Sequence, residues 1–325
     1  MMSPLTLGDL RDATAIVRTL VPPTPAYAWP LLARRTGVEV VIKHENHTPT
    51  GSFKARGGLV YVEMLRREGA MPSGLVTATR GNHGQSVAIA ARQAGLPALI
   101  VVPAGNSPEK NAAMEAFGGK LIVAGQDFDE ARVVAGRIAG ELGYHYVPSF
   151  HRHLVMGVAT YADELFTNWT GLDRVYVPIG MGSGICGLIA VRDLLGLKTE
   201  IVGVVAENAP AFALSRDAGH PVSTASARTF ADGMACRQPQ VDAFEIIRRG
   251  AADIVRVSEE GMAEAVRLVY ADTHNVAEGS GAAPLAALLK QRSKMNGKRV
   301  ALVLSGGNID TAVLARILGG ETPEA

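Results

Sequence analysis

Apolar residues come along this chain in short unbroken runs, separated by longer stretches where they recur every three or four positions. The runs GLVTAT (74–79), PALIVVP (97–103), KLIVAG (120–125), RVYVPI (174–179), EIVGVVA (200–206), DIVRV (253–257) and RVALVLSG (299–306) are apolar on both faces. Parallel strands covered by helices on both sides have that character. VEVVIKHEN (38–46) reads as a further strand. Helical periodicity occupies 83–94, 108–117, 127–142, 184–196 and 258–272. The alternation predicts an α/β protein, with mostly parallel sheets flanked by helices. Right-handed crossovers would line up the strand C-terminal ends along one edge, where ligands bind. The strands from 74 to 147 suffice for one compact sheet, and the others for a second, larger one. The first twenty residues carry charges through their apolar pattern and predict an amphipathic helix, not a signal peptide. The terminal GGETPEA is expected to fray.

Composition narrows the partners. With 47% hydrophobic and 19% charged residues, the chain suits a globular enzyme. Its net charge of +1 gives no electrostatic reason to expect nucleic acid or a membrane surface. No apolar run approaches the length of a membrane span. Two cysteines, Cys186 and Cys236, provide neither a disulfide framework nor metal-ligand spacing, which makes a cytoplasmic location the default.

Three turns carry candidate chemistry, each with a plainer reading beside it. In VPIGMGSGICG (177–187), Gly180, Gly182, Gly184 and Gly187 follow a strand and open a helix. Their amides make an anion cradle. Gly182-x-Gly184-x-x-Gly187 also fits the dinucleotide fingerprint, with Glu207 twenty residues beyond. That pattern alone leans towards NAD, or towards any phosphate-bearing cofactor. In TATRGNHGQ (77–85), Thr79, Arg80, Gly81, Asn82 and His83 place donors at a helix start, where a carboxylate fits. A plain capped helix fits as well. In VALVLSGGNID (300–310), Ser305 ends a strand with a hydroxyl suited to a neutral ring nitrogen, or simply begins a turn capped at Asn308 or Asp310. A fourth stretch, PTGSFKARGG (49–58), surrounds Lys54 with small residues and Phe53. An amine, a phosphate cradle, a carboxylate turn and a hydroxyl together suit pyridoxal 5'-phosphate and an amino acid. NAD offers no task for Lys54.

PTGSFKARGG, GNHGQ (81–85), GMGSG (180–184) and SGGN (305–308), in this order, resemble the serine/threonine dehydratase and serine racemase family of tryptophan-synthase-β-like, fold type II enzymes. The resemblance spans nearly the whole chain. It implies two domains, each an open sheet: a large one from 1–73 and 150–325, and a small substrate-binding one from 74–149. It implies pyridoxal phosphate held by Lys54 as an imine and packed by Phe53. Asn82 would bond its phenolic oxygen, and Gly180, Met181, Gly182, Ser183 and Gly184 its phosphate. Glu278 would lie near its ring and Ser305 at its ring nitrogen. Ser52, Thr79, Arg80, Gly81, Asn82 and His83 would meet the substrate. The implied activity turns a threonine- or serine-type β-hydroxy amino acid into a 2-oxo acid and ammonia, in a homodimer.

Four departures qualify the resemblance. Arg80 stands where many relatives have a serine that moves protons, which predicts weak or no racemisation. It either clamps a second substrate carboxylate, favouring 3-hydroxyaspartate, or points to solvent or a nearby acid. Phenylserine stays open too. Met181 is expected to turn away from the phosphate. Ala213 replaces a carboxylate beside Glu207, so no metal is expected. Gly279-Ser280-Gly281 departs from the usual sequence after Glu278. The histidines of HENH (44–47) and HRH (151–153) are expected on the surface or in caps.

Overall fold

The structure, a computed structural model, describes residues 2–324. Among them lie ten strands: β1 (Ala26–Ala28), β2 (Glu39–His44), β3 (Leu75–Ala78), β4 (Ala98–Val102), β5 (Gly119–Val123), β6 (His145–Tyr146), β7 (Arg174–Pro178), β8 (Glu200–Ala206), β9 (Asp253–Val257) and β10 (Arg299–Leu304). The helices are α1 (Leu7–Val17), α2 (Pro30–Thr36), α3 (Lys54–Arg67), α4 (Asn82–Gln93), α5 (Pro108–Ala116), α6 (Phe128–Leu142), α7 (Arg152–Asn168), α8 (Ser183–Leu194), α9 (Ala211–Ala218), α10 (Val241–Gly250), α11 (Glu259–Thr273), α12 (Gly279–Gln291) and α13 (Thr311–Leu318). All seven doubly apolar runs are strands, and the five stretches of helical periodicity are helices to within two residues.

Two sheets form. The larger runs β1-β2-β10-β7-β8-β9, parallel except for the β1 edge. The smaller runs β5-β4-β3-β6 and is parallel throughout. Alternate residues of the larger sheet feed opposite layers. Val41, Val175, Val177, Ile201 and Val303 pack towards α1, α3, α7, α8 and α10. Val40, Ile42, Tyr176, Val202 and Leu302 pack towards α11 and α12. In the smaller sheet Val76, Ala78 and Val101 meet Ala131, Ala135 and Ala139 of α6, while Ile100 and Val102 meet Ala88 and Met114. Burial on both faces is why these strands read as continuous apolar runs.

Two local expectations fail. The C-terminal segment is held, not frayed: Arg316 pairs with Glu321 at 2.8 Å, Arg267 donates to the Ile317 carbonyl, and Pro323 is buried. His44 is buried rather than on the surface, because its Nε2 accepts from Trp29 Nε1 at 3.0 Å. His151 does cap α7, accepting from the His153 amide, but His153 itself is buried. Among the described residues no group of three or more His, Cys, Asp or Glu gathers to hold a metal ion. None of the helices there is long and apolar enough to cross a membrane.

Candidate active site

The sites form where strand ends meet helix starts. β10 ends at Leu304, and the Ser305 carbonyl accepts from the Phe53 amide at 3.1 Å. Gly307 N–H donates to the Gly51 carbonyl, and Ser52 bridges Gly306. The lysine motif and the late serine motif, from opposite ends of the chain, are thus stitched together by backbone bonds. Glu278 joins them, since its amide donates to the Gly306 carbonyl at 3.1 Å.

Lys54 begins α3, with its Nζ 4.5 Å from the Phe53 ring centroid. Protein surrounds the amine, and the surface it keeps faces a narrow cavity. Burial pushes its pKa down to about 8, although Glu278 and Asp232 pull it back up. Two glycines hold α3 in place. A Cβ on Gly58 would stand 2.3 Å from Ser86 Oγ of α4, and one on Gly157 would stand 2.2 Å from the Arg56 carbonyl. Arg56 is fully buried and forks onto two carboxylates, Glu45 at 2.8 Å and Glu164 at 2.8 Å. Lys43 adds a third contact, 2.5 Å from Glu164.

A narrow cavity is lined by Phe53, Lys54, Asn82, Gly180, Met181, Gly182, Ser183, Gly184, Glu278 and Ser305. Pro178, Gly233 and Ser280 complete its wall. At the start of α8, Cys186 N–H closes the first turn on the Gly182 carbonyl, while the Ser183, Gly184 and Ile185 amides have no acceptor among the described residues. Free amides at a helix N-terminus attract an anion. Gly182 takes φ +102°, which a side chain would strain, and a Cβ on Gly180 would strike the Gly233 carbonyl at 2.1 Å. A Cβ on Gly184 would meet no atom closer than 3.6 Å, so the protein itself leaves that room open.

A second, more open cleft shares Lys54 and is lined by Thr79, Arg80, Gly81, Asn82 and His83, with Phe128, Ser149 and Asp232 among the rest. Thr79 Oγ1 accepts from the Gly81 and Gly84 amides, at 2.9 and 3.3 Å. That leaves the Asn82 and His83 amides without an acceptor among the described residues. His83 is buried, which lowers its pKa to about 4 and keeps it neutral. Asn82 Nδ2 donates to Glu278 at 2.9 Å and its Oδ1 accepts from Asn308 at 2.8 Å. Burial raises the pKa of Glu278, against the nearby Lys110 ammonium. Ser52 does not line either cavity; its hydroxyl is buried without a partner. Met181 is among the residues lining both cavities and also packs against the hydrophobic core.

Sequence reasoning passed over Lys110 and Asp232, and noted Ser280 only as a departure after Glu278. Lys110 Nζ lies 2.5 Å from Asp232 and 3.9 Å from Glu278. Ser280 Oγ donates to Glu278 at 2.7 Å. Nothing in the stretches around Lys110 and Asp232 marks them, because each matters only through a partner far away along the chain. Glu207, the acid of the dinucleotide pattern, lies on neither wall and pairs with Lys290 at 3.3 Å. Gly187 packs on Ala159 of α7 rather than facing a ligand.

Comparison with known proteins agrees with this chemistry. The chain is 34% identical over 315 residues to an L-threonine ammonia-lyase of Thermotoga maritima, covering 97% of this chain and 78% of the relative. It is 33% identical over 290 residues to the biosynthetic L-threonine dehydratase of Escherichia coli K12, covering 88% of this chain but only 56% of that longer protein. Among solved structures, the processed form of threonine deaminase isoform 2 from Solanum lycopersicum superposes with a TM-score of 0.90 at 29% identity, covering 98% of this chain and 91% of that one. The model of the pyridoxal-phosphate dependent enzyme family matches residues 17–306. This chain belongs to that family, and its cofactor is pyridoxal phosphate.

Proposed function

We propose that the protein is a dehydratase, or ammonia-lyase, that converts a threonine- or serine-type β-hydroxy amino acid to a 2-oxo acid and ammonia. One observation carries this reading: Lys54 lies on the walls of both the cavity with the free α8 amides and the cleft at the start of α4. Its amine can serve a cofactor on one side and a substrate on the other. In this reading residues 1–73 and 150–325 form the large domain and 74–149 the small one, in a cytoplasmic homodimer.

The residues fit the cofactor. The α8 amides and Ser183 would take its phosphate, Lys54 its aldehyde carbon, and Ser305 its ring nitrogen. The bound cofactor supplies an electron sink for the negative charge left on the substrate's α-carbon. The chain supplies the rest. The Asn82 and His83 amides at the α4 N-terminus hold the substrate carboxylate. Lys54, with its pKa near 8, is neutral often enough at physiological pH to take the α-proton. Ser305 offers a neutral hydroxyl where a carboxylate would hold a ring nitrogen charged, which tempers charge withdrawal and favours prompt loss of the β-hydroxyl. Neutral His83 adds no competing charge. The dinucleotide reading is displaced by the family match, with Glu207 and Gly187 both engaged elsewhere.

The test is direct. Borohydride treatment of the purified yellow protein should tag Lys54, as read by peptide mapping. L-threonine or L-serine should release a 2-oxo acid, and Lys54→Ala should lower that rate on the order of 10²–10⁴-fold. A tag on another lysine, or no oxo acid from any hydroxy amino acid, would defeat the assignment.

A further inference from the structure

The substrate cleft contains one cationic group that the reaction above leaves without a task. Arg80 is exposed, lines the cleft, and has no hydrogen-bond or ion-pair partner among the described residues. The other charges on that wall are answered. Asp232 is held by Lys110 at 2.5 Å, His83 is neutral, and Lys54 already has its task in the reading above. No nearby acid pairs with Arg80; it is exposed to solvent on the cleft wall, with no protein group answering its charge among the described residues. Two residues further on, the free Asn82 and His83 amides form a separate anion site in the same turn.

We propose that Arg80 is a specificity residue that selects amino acids with a second carboxylate, making 3-hydroxyaspartate the preferred substrate class. The proposal rests on the dehydratase reading. One carboxylate goes to the α4 amides. The other meets a guanidinium whose planar fork matches a carboxylate in two parallel bonds. No internal ion pair has to break first. Threonine and serine leave the guanidinium without a partner, while phenylserine would have to draw on Phe128 instead.

The experiment compares kcat/KM for threo-3-hydroxyaspartate, L-serine, L-threonine and phenylserine in the holoenzyme, Arg80→Ala and Arg80→Lys, with oxo-acid release as readout. Folding and cofactor loading are checked by circular dichroism and cofactor absorbance. Hydroxyaspartate should lead serine by on the order of tenfold to a hundredfold, the range for a charge-assisted bond. Arg80→Ala should erase that lead mainly through KM, and Arg80→Lys should keep part of it. Succinate should inhibit serine turnover in the native enzyme and lose potency in Arg80→Ala. Turnover of serine or threonine without a lead for hydroxyaspartate, a lead that survives Arg80→Ala, or a preference for phenylserine overturns the proposal while leaving the dehydratase standing. A loaded enzyme that deaminates none of the four removes both.

Discussion

A lysine amine in water is almost wholly protonated at neutral pH, with a pKa about 10.4. Lys54 departs from that because burial penalises its charge more than Glu278 and Asp232 favour it, leaving the pKa at about 8. The sign sets a test. Below pH 8 the neutral, nucleophilic fraction falls tenfold per unit; above it the fraction is constant. Cofactor-free protein should therefore capture added pyridoxal phosphate at a rate that climbs up to about pH 8 and then levels off, followed by absorbance. A rate still climbing towards pH 10 would mean an ordinary solvated lysine. The identity of Lys54 was legible in its neighbours Ser52, Phe53 and Gly57, but the extent of its pKa shift was not, because burial, Glu278 and Asp232 act on it only through the fold.

At the scale of elements, the start of α3 is fixed by charges buried beneath it. Arg56, Lys43, Glu45 and Glu164 are all buried, and each carboxylate meets more than one donor. Such a network is weak evidence for stability as a whole, but removing one member strands the others. Glu164→Gln or Arg56→Met should cost about 3–5 kcal/mol, visible as a lower urea midpoint with unchanged slope. A change below about 1 kcal/mol would mean that water or relaxation satisfies the remaining charges. The helix and strand pattern was readable because burial on one face or two leaves a period in the sequence. The Arg56 network was not, since its members sit on β2, the turn that follows it, α3 and α7. Two-residue β6 and three-residue β1 are too short to show any period.

Across the molecule, side chains of the 74–149 segment reach over the cleft to the larger sheet's layer. Lys110 meets Asp232, Ser107 donates to Asp310, Glu109 accepts from the Thr311 amide at 2.9 Å, and Asp129 meets Arg237 at 3.1 Å. Lys110 matters most, because burial opposes its charge while Asp232, Glu278 and Asp310 together hold its pKa above the ordinary value. Lys110→Met should leave Asp232 without its ion-pair partner and remove the ammonium beside Glu278, which keeps its bonds from Asn82 and Ser280. Amide exchange around 107–111 and 231–235 should rise, and cofactor affinity should fall about tenfold through the added negative charge. Unchanged exchange with unchanged affinity would show that the other cross-cleft bonds suffice.

Sequence by itself determined the α/β class, the parallel strands and the kinds of chemical group at four turns. Hydrophobic period and local turn chemistry are properties of neighbouring residues, so they survive in one dimension. Only the tertiary structure decided that those turns share a wall, that Ser52 lies behind it, and that Met181 lines both cavities. It also decided that Arg80 is exposed on the cleft wall with no hydrogen-bond or ion-pair partner among the described residues. These depend on which distant atoms exclude water or complete a hydrogen bond, and that is set by packing rather than by order along the chain.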